Sequence, residues 1–78
     1  YPQRLINVRL PAGFDWRADR AIAAAAEAAE TALGARGRVL LRPSGTEPLL
    51  RVMVEGQDGA EVDTLARSIA DTVKEAVG

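Results

Sequence analysis

Residues 38–55 read RVLLRPSGTEPLLRVMVE, two strand-like segments joined by a short loop. The segments are residues 38–42 and 49–55, and their side chains alternate between two faces if they form strands. Burying the apolar members of both segments together places Arg42 and Arg51 on the same opposite face, whereas a one-residue slip in register would separate them. The side chains predicted to be buried are Val39, Leu41, Leu50, Val52 and Val54. This stretch therefore predicts an antiparallel hairpin whose two arginines point the same way.

The loop of this hairpin concentrates hydrogen-bond donors between two prolines. Each flanking arginine offers a planar fork of N–H groups that matches phosphate oxygens two at a time. The two hydroxyls add rotatable donors, and the glycine lets backbone N–H groups approach an anion closely. We therefore predict a phosphate-binding site. Its candidate residues are Arg42, Ser44, Gly45, Thr46 and Arg51.

A plain turn is the alternative, because proline, serine and glycine are common turn residues. A turn does not require the flanking arginines, however, and their placement favours the anion site. Glu47 is not included among the ligands, since its carboxylate would repel a phosphate. Two other roles remain for Glu47: its carboxylate could hold Arg42 or Arg51 in place, or its backbone could close the turn.

The remaining segments predict two helices and one further strand. Residues 5–10 alternate, with Ile6, Val8 and Leu10 on one side and Leu5, Asn7 and Arg9 on the other. Residues 17–33 predict an alanine-rich helix that ends at Gly34. Asp58 and Glu61 have the spacing of a capping box at the start of the last helix. The apolar stripes are Ile22, Ala25, Ala26, Ala29 and Leu33 in the first helix and Val62, Leu65, Ile69, Val73 and Ala76 in the second.

The order β-α-β-β-α predicts an α+β fold: a small, mainly antiparallel sheet with two helices on one face. We expect residues 1–78 to form a single domain. The chain begins with Tyr1, so we also expect it to be part of a longer protein. The other face of the sheet would carry Leu40, Leu49 and Met53. This raises the alternative of a non-catalytic interaction module that docks through this face or through the alanine-rich helix.

Composition argues against several other functions. The chain has neither cysteine nor histidine, which excludes disulfides, thiolate metal sites and a histidine general base. Its formal net charge is −1, whereas nucleic-acid-binding domains are usually strongly basic. An RNA-binding domain that uses sheet arginines is therefore the weakest alternative, since the aromatic stacking platform is also missing. No apolar run is long enough to span a bilayer, and we expect no membrane partner.

Residues 37–56, GRVLLRPSGTEPLLRVMVEG, resemble the phosphate-binding loop in the C-terminal domain of the α-D-phosphohexomutase superfamily. Within that superfamily the sequence is most similar to the bacterial phosphoglucosamine mutases. The opening YPQRLINVRL and the last helix resemble the same enzymes, so the similarity covers nearly the whole chain. Residues 14–17, FDWR, match nothing in the family and are expected to form a variable turn.

The resemblance implies a TBP-like fourth domain of a cytoplasmic isomerase. Such enzymes interconvert glucosamine 6-phosphate and glucosamine 1-phosphate on the route to UDP-N-acetylglucosamine and peptidoglycan. A phosphoserine in the first domain transfers the phosphoryl group, Mg²⁺ is held in the second domain, and the third domain reads the sugar. Phosphomannomutase and phosphoglucomutase are the alternatives, because their loops are related.

By the same resemblance, the fourth domain holds the phosphate that is not reacting. Carried over by position, Arg42, Ser44, Gly45, Thr46 and Arg51 would be its contacts, and they must accept a phosphate from either end of the sugar. The expected partners are a phosphosugar substrate and the other domains of the same enzyme. We expect no cofactor in this fragment and no catalysis by the fragment alone.

Overall fold

The most apolar strand-like segment becomes the central strand of a three-stranded antiparallel sheet. The computed structural model describes residues 1–44 and 47–78. Its strands lie in the order β1-β3-β2, so β3 pairs with both neighbours. The elements are β1 (Gln3–Arg9), α1 (Arg20–Leu33), β2 (Arg38–Pro43), β3 (Leu49–Glu55) and α2 (Gly59–Val77). The predicted order β-α-β-β-α is confirmed.

The predicted hairpin register is confirmed residue by residue. Val39 lies opposite Val54, and Leu41 lies opposite Val52. The inward side chains of β3 are fully buried, because this strand has a neighbour on each side and a helix layer beneath it. Val39 and Leu41 are only half-buried, since β2 is an edge strand.

Both helices pack on one face of the sheet, as predicted. Strand β1 contributes Val8 to the core, and Leu10 follows the strand with its side chain also buried. The remaining buried apolar side chains come from β3 and the helices. They are Leu50, Val52, Val54, Ile22, Ala29, Leu33, Val62, Ala66, Ile69, Ala70 and Val73. Within the described residues, neither helix is long and apolar enough to cross a membrane.

Helix α1 begins later than predicted. The prediction of a start at residue 17 was wrong, because Asp19 has extended backbone angles and its carboxylate accepts the Ile22 N–H at 3.0 Å, which caps the helix there. Residues Trp16–Ala18 instead form a single 3₁₀ turn. Gly34 ends the helix with a positive φ of 56°, which glycine adopts more readily than other residues.

Helix α2 begins as predicted, with Asp58 accepting the N–H groups of Ala60 and Glu61 at 2.9 and 3.4 Å. The reciprocal half of the capping box is replaced by a tertiary contact. The Glu61 carboxylate accepts a hydrogen bond from Arg36 Nη1 at 3.0 Å, which ties the start of α2 to the 3₁₀ turn that follows α1.

Candidate functional site

Arg42 and Arg51 are directly opposite each other in the β2–β3 register. Both side chains are exposed, and both lie on the face opposite the helices. We call this surface the open face; it consists of Gln3, Leu5, Asn7, Arg9, Arg38, Leu40, Arg42, Leu49, Arg51, Met53 and Glu55. Arg42 and Arg51 line the same shallow depression of about 330 Å³, together with Leu5, Leu40, Met53 and Arg38. The strand register therefore places the two arginines on the same surface, as predicted.

Neither of these arginines is neutralised within residues 1–44 and 47–78. The ion pairs of this part of the chain use Arg4, Arg36, Arg38 and Arg67. Like charges directly opposite on neighbouring strands repel each other, so Arg42 and Arg51 raise the local positive potential. An anion between them would relieve that repulsion.

Arg38, the third arginine of this depression, is already paired. Its Nε lies 3.2 Å from Oε1 of Glu55, and Gln3 Nε2 donates to Oε2 of the same carboxylate at 2.9 Å. The Gln3 hydrogen bond, aided by the nearby Arg38 charge, lowers the pKa of Glu55 below its ordinary value. The unneutralised charge of this depression is therefore at the end nearer the loop.

Ser44 directly follows β2 and lines a second cavity. Its backbone N–H donates to the Leu49 carbonyl at 2.9 Å, and its Oγ accepts the Glu47 N–H at 3.4 Å. The cavity, of about 210 Å³, is lined by Ser44, Glu47 and residues of the segment after β1. Gly45 and Thr46, the other two predicted ligands, lie outside the described residues.

Glu47 closes the turn through its backbone. Its carbonyl accepts the Leu49 N–H at 2.8 Å, in addition to the bond from its own N–H to Ser44. Its exposed carboxylate makes no ion pair with an arginine in the part of the chain that the structure describes. Of the two roles considered for Glu47, the observed contacts match turn closure.

Residues 14–17 do more than form a variable turn. Phe14 and Trp16 are half-buried against the core and line the cavity beside Ser44. The Arg17 guanidinium lies 4.5 Å from the centroid of the Trp16 ring. Earlier in the same connection, the Leu10 N–H donates a hydrogen bond to the Pro48 carbonyl at 2.6 Å. The segment after β1 therefore supports the loop, which the sequence did not predict.

Two polar residues of β1 were not predicted as site residues. Asn7 lies directly opposite Arg51, and Arg9 lies directly opposite Leu49. The alternation in residues 5–10 placed both on the side away from the core, which was a usable signal. The missing information was that β3 is central, since only then does β1 lie beside Arg51.

The arrangement is suited to binding an anion rather than to acid–base or metal chemistry. Guanidinium groups remain charged at all physiological pH values and donate without accepting. Residues 1–44 and 47–78 hold no group of three acidic, histidine or cysteine side chains placed to ligate a metal. Within the described residues, the Ser44 hydroxyl accepts a hydrogen bond from the Glu47 backbone N–H and forms none with a base that could activate it.

Comparison with known proteins gives concordant results. Residues 5–72 match the family described as phosphoglucomutase/phosphomannomutase, C-terminal domain. The phosphoglucosamine mutase of Azoarcus sp. (strain BH72) is 71% identical over 77 residues, which are 99% of this chain and 17% of the relative. That of Aromatoleum aromaticum is 68% identical over 76 residues, 97% of this chain and 17% of the relative. The chain thus spans about 17% of the length of these relatives.

A solved structure shows the same fold. The N-acetylphosphoglucosamine mutase of Aspergillus fumigatus, in complex with GlcNAc-6P and magnesium, superposes with a TM-score of 0.76 at 28% identity. The match covers 99% of this chain and 16% of the fungal one. The predicted α+β fold is therefore confirmed both by the structure itself and by this neighbour.

Proposed function

This chain belongs to the C-terminal domain family of phosphoglucomutases and phosphomannomutases, and from that we propose that it binds the substrate phosphate in a longer phosphoglucosamine mutase. In this role the chain is the single C-terminal domain of an isomerase that interconverts glucosamine 6-phosphate and glucosamine 1-phosphate. The domain holds the phosphate that is not being transferred. A phosphomannomutase or phosphoglucomutase remains the alternative parent enzyme.

The observation that carries this proposal is the opposition of Arg42 and Arg51. Two exposed arginines occupy opposed positions on one face, and no carboxylate of the described residues forms an ion pair with either. Such a pair repels itself without an anion, and its two positive charges match the two negative charges of a phosphate dianion. Ser44, Gly45 and Thr46 complete the proposed ligand set.

This donor set suits a substrate that must bind in two orientations. Guanidinium groups recognise phosphate oxygens and are indifferent to the sugar hydroxyl pattern beyond the ester bond. A site of this kind can hold a 6-phosphate or a 1-phosphate equally well. In the proposed enzyme, discrimination between sugars therefore falls to other domains.

Magnesium belongs to the proposal only through the rest of the enzyme. The fungal relative was solved with magnesium. The residues of this chain that the structure describes do not fit a metal, since their acidic side chains form no group of three. We therefore propose that Mg²⁺ and the group that transfers the phosphoryl lie in other domains, and we assign this domain no step that involves them.

A titration of the 78-residue chain tests the proposal. Glucosamine 6-phosphate is added while backbone amide NMR signals are followed, with glucosamine as the matched control that lacks the phosphate. We expect shifts confined to residues 42–51 and their β1 neighbours, with affinity on the order of millimolar, as a few charge-assisted hydrogen bonds would give. Equal shifts with glucosamine, or shifts only at distant residues, would contradict the proposal.

A second candidate role has one specific observation in its favour. Leu5, Met53 and Leu40 lie side by side across the open face, and Leu5 is 54% exposed. Such an apolar row is typical of a docking surface. Concentration-dependent self-association that Met53→Lys abolishes, in a chain that binds no phosphosugar, would favour an interaction module instead.

A further inference from the structure

Arg9 is the last residue of β1 and lies at the loop end of the open face. It pairs with Leu49, a residue that lines the cavity beside Ser44. The next residue of β3 on the same face is Arg51, which lines the depression of the open face. Diagonal neighbours across an antiparallel pair are roughly 7–8 Å apart, a separation that long side chains can bridge. The Arg9 side chain can therefore reach the space above Arg51.

Arg9 shares the electrostatic state of the two predicted arginines. Its side chain is exposed, and the ion pairs of residues 1–44 and 47–78 do not include it. The chain as a whole has a net charge of −1. The described part of the open face nevertheless carries four arginines and one glutamate, and that glutamate is bound to Arg38. Positive charge is thus concentrated at the loop end of this face.

We propose that Arg9 is a further phosphate-binding residue, which supplies a third guanidinium from β1 to the site formed by Arg42 and Arg51. This inference rests on the proposed function and extends the ligand set to a strand outside the loop motif.

The charge balance shows what a third guanidinium would add to the site. Two guanidiniums neutralise the dianion itself, and a third makes the site net positive with the ligand bound. A net positive site attracts phosphate over longer distances and slows its release, with a strength that falls as salt is added. The ordinary alternative is that Arg9 is a solvated side chain on an exposed strand, which contributes nothing to binding.

Binding of inorganic phosphate to the 78-residue chain separates these two possibilities. Dissociation constants are measured by amide NMR shifts at low and high ionic strength for wild type, Arg9→Gln, Arg9→Lys and Arg42→Gln. Arg4→Gln is the matched control, because it removes the same charge from the same strand at a residue paired with Asp63. The amide spectrum of each variant also reports that it is folded.

We expect Arg9→Gln to weaken phosphate binding about tenfold, as loss of a charge-assisted hydrogen bond would. Arg9→Lys should retain part of the affinity, and Arg4→Gln should bind within about twofold of wild type. Wild-type affinity in Arg9→Gln, with binding lost in Arg42→Gln, would overturn the inference and leave the proposed function standing. A wild-type chain that binds no phosphate at all would overturn both.

Discussion

Arg42 and Arg51 occupy directly opposed positions of the β2–β3 ladder, on the face away from both helices. A ladder position of this kind normally holds complementary or neutral side chains, because opposed like charges destabilise the strand pair. Here the hydrophobic pattern of the inner face fixes the register, so the chain cannot separate the two charges without exposing its core. The repulsion is therefore built into the fold and is available to be relieved by an anion.

Arg42→Gln should have opposite effects on stability and binding. Without ligand at low salt, we expect the free energy of unfolding to rise by roughly 0.2–1 kcal/mol, because the repulsion with Arg51 is removed. Phosphate binding should weaken at the same time. Urea denaturation at low and high ionic strength measures the first effect, and the gain should shrink as salt screens the charges.

Arg38→Gln is the control for this experiment. It removes a charge from the same strand and face, but one that is paired with Glu55 at 3.2 Å. Its stability should stay the same or fall slightly, as is usual for an exposed ion pair. If both substitutions change stability in the same direction, the opposed arginines do not repel each other in the way that the register implies.

The pKa of Glu55 gives a second prediction. The Gln3 amide is the main cause of its lowered value, followed by the nearby Arg38 charge. Gln3→Met keeps the side-chain length but removes the donor, so the pKa of Glu55 should rise toward its ordinary value. Carbon-detected NMR titration of the Glu55 carboxyl measures this directly.

The same shift predicts a pH dependence of stability. A carboxyl whose pKa is lower in the folded state stabilises the fold above its unfolded pKa, about 4.3, and that contribution disappears as pH falls through the folded value. The stability difference between wild type and Gln3→Met should therefore be present near neutral pH and shrink in acid. A difference that grows on acidification would show that Gln3 acts by another route.

Much of the fold was predictable because the inner-face pattern is unambiguous. The alternation in residues 49–55 allows one register with the neighbouring strand, and the buried set follows from it. The start of α1 was harder to predict from the sequence. Arg17 and Ala18 are reasonable helix residues, and only the Asp19 cap shows that the helix begins after them. Local propensity could not choose between those two starts.

The candidate site was predictable to the extent that it depends on the hairpin. Arg42 and Arg51 share a face for local reasons, since the two strands are joined by a short loop. Arg9 comes from the other end of the sequence, and its position beside Arg51 depends on β1 pairing with β3 rather than with β2. Strand order is a tertiary outcome that alternation alone does not determine.

Gly37→Ala should destabilise the fold strongly. A Cβ at this position would overlap the Glu55 carbonyl oxygen and lie 2.9 Å from the Gly56 Cα, both of which are backbone atoms that cannot turn aside. We expect a loss of about 1–3 kcal/mol or more, the usual cost of overpacking. Thermal or urea unfolding measures it.

Gly59→Ala is the matched control for that substitution. Gly59 is the first residue of α2, and a Cβ there would meet Pro2 at an ordinary 3.8 Å. Stability should be unchanged or higher by up to about 1 kcal/mol, because alanine is the better helix residue. Equal losses of stability in both variants would mean that the close approach of the Gly37 backbone to β3 is not the cause of the loss in Gly37→Ala.

Ser44→Ala should be milder than Arg42→Ala in the proposed full-length mutase. The Ser44 N–H bond to the Leu49 carbonyl does not depend on the side chain, and the bond that the hydroxyl accepts from the Glu47 N–H is long, at 3.4 Å. The turn should therefore persist, and stability should change by less than about 0.5 kcal/mol. Loss of one neutral donor to phosphate should raise KM severalfold, whereas loss of a charged fork in Arg42→Ala should raise KM further and also lower kcat. Steady-state kinetics with glucosamine 6-phosphate compare the two variants, and a Ser44→Ala enzyme with abolished kcat and normal KM would assign the hydroxyl a role in the chemical step instead.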